Sequence, residues 1–204
     1  MNELNRERWN ELCRDGINAA EWYERLTNLY SEPHRHYHNG RHIADCLDEF
    51  DSVRHLASEP KAVEVAIWFH DAIYDPRAAD NEERSAELAR KFVRETNIGD
   101  ESAIIELVLA TKHHDGTSHR DATLMVDIDL SILGQSAERF WDYERQIRAE
   151  YEWVPEDVFA AKRAEILERF LSRQRIFGTE SFFAKCESQA RENLRESIRR
   201  LRGR

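Results

Sequence analysis

Apolar residues recur three and four positions apart along almost the whole chain, the spacing of helices with one buried face. Trp9, Leu12 and Cys13 make a first short stripe, and Trp22, Leu26, Leu29 and Tyr30 make a second. The stretch "SEPHRHYHNGRH" breaks the rhythm at Pro33 and Gly40. Asn39 is placed there to cap a helix whose stripe is Ile43, Leu47 and Phe50. After Pro60, "KAVEVAIWFHDAIYDP" is apolar nearly all round, as expected of a helix at the centre of a bundle, with Pro76 to end it. "ADNEERSAELARKFVRET" and "ESAIIELVLATKHH" predict two amphipathic helices. A polar loop, "HDGTSHRD", leads to "ATLMVDIDLSILG", which is helix-like despite its β-branched residues. Three long charged helices follow, over roughly 136–152, 155–174 and 179–201.

Alternating strand patterns, repeats and Pro/Gly/Ser linkers are not found in the sequence. The expected fold is therefore all-α: a single-domain helical bundle of about eight to ten helices. The 204 residues suit one domain of ordinary size. Within it, a core over about 37–134 holds the polar residues discussed below, and the remaining helices cover about 136–202.

Composition narrows the function. The chain is 41% hydrophobic, enough for a packed core, and carries a formal charge of −10. That charge repels nucleic-acid backbones and anionic membranes, so neither is an expected partner. A small anionic substrate requires a local cation or metal. Cys13, Cys46 and Cys186 are widely spaced and form no CxxC pair, which points to a reducing compartment. With a charged N-terminus and no run of about 20 apolar residues, the expected location is the cytoplasm.

Four places put His or Asp where apolar residues are expected. His38 and His42 stand four apart, close to one helix face, with His42 bordering the core beside Ile43 and Cys46. Taken alone, the pair also fits one surface and one core histidine. His70 and Asp71 interrupt a run of large apolar residues, and a buried carboxylate is costly unless paired or bound to metal. Asp71 can be satisfied by a hydrogen bond from His70, or both by an ion. Asp127 and Asp129 are two apart and cannot share a helix face. Asp129 stacks with Met125, Ile132 and Leu133 and is expected inward; Asp127, between Thr123 and Ser131, is expected to cap or face solvent. Finally, the stripe Ile104, Leu107, Val108 and Thr111 carries His114, which either lines the same cavity or compensates a helix dipole.

His42, His70, Asp71 and Asp129 thus make a set of two imidazoles and two carboxylates. Mixed nitrogen and oxygen donors suit divalent ions such as Mn, Fe, Co, Ni or Zn, with Mg also open. No cysteine belongs to this set, which disfavours a closed structural zinc site. Four protein donors on a six-coordinate ion leave room for water and substrate.

The order His…His-Asp…Asp on a helical chain resembles the HD-domain superfamily of metal-dependent phosphohydrolases, specifically the bacterial branch described only as predicted HD phosphohydrolases. The resemblance rests on "YHNGRH", "WFHDAIYDP", "DNEERSAELA", "ATKHH" and "DIDLSILG", followed by "YERQIRAEY" and "ERFLSRQRIF", from Tyr37 to Phe177. It implies an HD-type bundle with His42, His70, Asp71 and Asp129 as ligands and Asp71 able to bridge to a second ion. "YHN" with a His three residues on is similar to a motif of cyclic-nucleotide phosphodiesterases, which implies that His38 is the general acid. Where several nucleotide-cleaving branches carry Glu three residues after the HD Asp, this chain has Tyr74. The water-activating carboxylate is then open among Asp75, Glu82 and Glu83.

The expected activity is metal-dependent hydrolysis of a phosphate ester or anhydride of a small molecule such as a nucleotide. Lys112, His114 and Arg148 are candidate phosphate contacts, although both cations also fit a solvated surface. Two rivals stand beside it: an HD-fold di-iron oxygenase, for which His113 and His114 leave room, and a regulatory module whose metal is structural.

Overall fold

In a computed structural model of the chain, residues 4–112 and 119–203 are described. Ten α-helices run through them: α1 (Arg6–Leu12), α2 (Ala19–Tyr30), α3 (Gly40–Val53), α4 (Pro60–Phe69), α5 (Asn81–Thr96), α6 (Glu101–Ala110), α7 (Arg120–Leu130), α8 (Ala137–Glu150), α9 (Glu156–Ser172) and α10 (Glu180–Arg202). There is no strand among the described residues, so the fold is all-α as the periodicity predicts. No described helix is long and apolar enough to cross a membrane. His113 and His114 lie outside the described residues.

The helices group into two compact units, the first through Ile128 and the second from Asp129. In the first unit α4 is the centre. Every residue from Ala62 to Phe69 is buried, and the helix packs on α3, α5 and α6. Around it Trp9, Trp22, Trp68, Phe69 and Phe92 form an aromatic cluster, with Trp9 edge-on to Trp68 at 5.1 Å and Phe69 against Phe92 at 4.9 Å. Such pairs add roughly 0.5–1.5 kcal/mol each beyond the area they bury. Glu64, inside this apolar helix, pairs with Arg8 at 2.7 Å and with Arg54.

The second unit is built on α8, α9 and α10. A 3-10 turn, Ser131–Gly134, packs on α10 so closely that a Cβ at Gly134 would lie 2.5 Å from that of Cys186. The Asn193 amide ties the turn down, donating to the carbonyls of Leu133 and Gln135 at 2.9 Å each. Buried Arg163 bridges Glu144 and the Tyr143 hydroxyl.

The caps follow local chemistry. Asn39 accepts from the Arg41 amide at the start of α3, as its position predicts. Asp100, Ser136 and Thr179 do the same for α6, α8 and α10. One boundary differs from the expectation. α4 stops at Phe69, well short of Pro76, so His70 and Asp71 lie just past a helix end and not within a helix. The cause is a set of side-chain donors that take the carbonyls there. The His70 Nδ1–H donates to Ile67, the Tyr30 hydroxyl to Trp68, and the Arg35 guanidinium to Asp71 and Ala72.

Candidate metal centre

His42 sits in the first turn of α3, buried, three residues after the Asn39 cap. His70 is the C-cap of α4 and is also buried. Its Nδ1 lies 2.9 Å from the Ile67 carbonyl. A carbonyl can only accept, so Nδ1 carries a proton and Nε2 is the ring nitrogen turned toward His42 and Asp71. That is the support a metal-binding imidazole needs, because it fixes both tautomer and ring orientation.

Three donor atoms converge. His42 Nε2 and His70 Nε2 are 3.1 Å apart. Asp71 Oδ2 is 3.3 Å from the first and 3.2 Å from the second. Ligand bonds of about 2.0–2.1 Å place neighbouring donors about 3.0–3.4 Å apart around one ion. The spacing therefore fits a divalent metal, as does the chemistry of the set. Burial alone raises the pKa of the Asp71 carboxyl. The imidazoles of His70, His42 and His38 outweigh it and hold the carboxyl well below the usual carboxylate range.

Asp129 stands in the last turn of α7, half-buried. One donor atom each from His42, Cys46, His70 and Asp129 lie within 4.8 Å of one another. The expected placement of Asp129 beside the histidines agrees with the structure, although Asp129 is half-buried and less buried than Asp127. The expected outward placement of Asp127 does not, since Asp127 is 1% exposed. α7 is buried on nearly every side (Ala122, Leu124, Met125, Val126, Ile128 and Leu130), so an offset of two residues does not separate inside from outside.

Cys46 corrects the reading that no cysteine joins the set. It lies one turn after His42 on α3, buried, with Sγ at 3.7 Å and 3.8 Å from the two ring nitrogens of that residue. The signal was present in the i, i+4 spacing of His42 and Cys46.

His38, two residues before α3, is half-buried at the rim. Its ring stacks on Tyr74 with centroids 4.2 Å apart and lies 6.1 Å from the ring of His42. Tyr74 thus presents an aromatic face to the His38 ring. Arg35, fully buried, fixes this rim: it donates to the carbonyls of His38 at 3.1 Å, Asp71 at 2.7 Å and Ala72 at 3.0 Å, and pairs with Glu32. Nothing in the sequence around Arg35 marks it for that task.

The other candidates have local partners. Lys112 donates to the Ala79 carbonyl and pairs with Glu83. Arg148, in the second unit, pairs with Glu156 at 2.9 Å and donates to the carbonyls of Tyr151 and Val154. Asp75 accepts from the Arg77 amide and shapes its own turn. Glu82 and Glu83 lie in the first turn of α5. His114 lies outside the described residues.

No family model, no curated protein and no solved structure matches the chain. The all-helical fold and the His/Cys/His/Asp cluster that could hold a metal ion stand on the chain's own geometry.

Proposed function

We propose that this chain is a metal-dependent phosphohydrolase of the HD type, acting on a phosphate ester or anhydride of a small molecule such as a nucleotide. The observation that carries the reading is the convergence of His42 Nε2, His70 Nε2 and Asp71 Oδ2 within 3.1–3.3 Å of one another. It matches the His…His-Asp…Asp order read from the sequence, with Asp129 as the late donor.

His42, His70, Asp71 and Asp129 would hold the ion. A bound divalent metal supplies Lewis acidity, polarising a phosphoryl oxygen and acidifying water. The protein's own groups do the rest. His70 is aimed by the Ile67 carbonyl. Asp71 stays ionised and draws cationic groups to an otherwise anion-repelling chain. His38, beside the donors but one ring away from them, is placed to give a proton to the departing oxygen. Tyr74 supports the His38 ring and Arg35 holds its backbone.

A second reading is favoured by Cys46. With His42, His70 and Asp129, Cys46 makes four donors within 4.8 Å, enough to close the shell around a structural ion, giving a metal-containing module without turnover. One experiment decides between them: a screen of phosphomonoesters, diesters and nucleotides with Mn, Co, Ni, Fe, Zn and Mg, run with metal analysis of the purified chain. Metal-dependent release of phosphate or nucleoside that disappears in His70→Ala supports hydrolysis. Stoichiometric metal with no turnover on any phosphate compound supports the structural module.

A further inference from the structure

We infer that Cys46 is a sulfur donor to the same ion, and that it makes the centre select thiophilic divalent metals such as zinc, cobalt or iron(II) over magnesium. The inference rests on the metal-site reading above and deepens it.

Cys46 follows His42 by one helical turn on α3, so the two side chains leave one face of the helix in the same direction. The thiol is 2% exposed. Its sulfur lies 3.7 Å from His42 Nδ1 and 3.8 Å from His42 Nε2, the nitrogen that also stands 3.1 Å from His70 Nε2. Asp129 completes a set of four donor atoms within 4.8 Å. The His70 imidazole is pre-aimed by its hydrogen bond to the Ile67 carbonyl. Binding forms a metal–sulfur bond, and the thiol proton leaves to solvent.

The donor types decide the metal. Magnesium takes oxygen donors and keeps several waters, whereas zinc, cobalt and iron(II) accept sulfur and imidazole together. Asp71, 19% exposed, and half-buried His38 lie on the accessible side, where substrate would approach.

The test is cobalt(II) loading of the full chain, read by its absorption. A thiolate donor gives a sulfur-to-cobalt charge-transfer band in the near ultraviolet. The band is expected in the unaltered chain and in Cys13→Ser and Cys186→Ser, and absent in Cys46→Ser and Cys46→Ala. Both Cys46 variants should keep a cobalt ion on the remaining donors. Their preference for zinc over magnesium, measured by competition, should fall by roughly 10–100-fold, the range that loss of a supporting group already costs. Helical circular dichroism identifies whichever Cys46 variant is folded, and that one is used. Cobalt bound in a His70-dependent way without the band overturns the role of Cys46 and leaves the histidine–aspartate site standing. An unchanged zinc preference in Cys46→Ser does the same. Cobalt that does not bind, or binds equally to His70→Ala, overturns the site itself and this inference with it.

Discussion

His38 separates holding a metal from using one. Its ring lies 6.1 Å from that of His42 and is propped on Tyr74, so in the proposed function it would reach a group on the ion without being a ligand. His38→Ala should keep its metal and slow cleavage of an alkyl phosphate ester by roughly 10²–10⁴-fold. A nitrophenyl ester should lose much less, because its leaving group departs without a proton. Equal losses on both substrates, or loss of metal, move His38 out of the acid role. The two late aspartates make a second contrast. Asp129→Asn should lower metal content, whereas Asp127→Ala should keep metal and cost about 1–3 kcal/mol of stability, as expected for a deeply buried polar residue. Metal analysis and urea unfolding of both variants check this. The place of Asp129 near the histidines was legible from its apolar stacking. The burial of Asp127 was not, because periodicity locates a buried face only on a helix that also has an exposed one.

At the scale of elements, the decisive feature is the end of α4. Local signals placed the cap at Asn39 and the start of α4 at Pro60, because each acts within a few residues of itself. The end of α4 depends on Tyr30 and Arg35, more than thirty residues upstream. No local pattern encodes such a partner. The same donors join the loop bearing His38 to the turn bearing Asp71. Arg35→Ala should therefore cost about 2–4 kcal/mol through lost charge-assisted hydrogen bonds, lowering Tm by about 5–15 °C in a chain of this size. Its hydrolytic rate should fall further than its metal affinity, since His38 is released while the histidine donors stay on their helices. Calorimetry with metal titration measures both. A variant with unchanged Tm shows that Arg35 does not hold this end.

For the whole molecule, metal and pH both act on stability. An ion that binds only the folded chain adds about 2.7 kcal/mol at a concentration 100 times its Kd. Chelation should thus lower Tm by about 5–10 °C, and His42→Ala should abolish the difference. On the alkaline side, burial pushes the Cys13 thiol up to about 12, with Lys61 lowering and Glu64 raising it. A pKa raised on folding means the unfolded chain loses this proton first. Its contribution is complete below the ordinary thiol range and is lost as pH climbs from about 9 toward 12. Urea midpoints over that window should fall less steeply in Cys13→Ala than in the unaltered chain.

The most direct test of the central claim is metal stoichiometry, measured by mass spectrometry after loading with a divalent ion and desalting. The converging donors of His42, His70 and Asp71 require one tightly held ion per chain in the unaltered protein and none in the His70→Ala, Asp71→Ala double variant. Stoichiometric metal in the folded double variant, or no metal in the unaltered chain, contradicts the account.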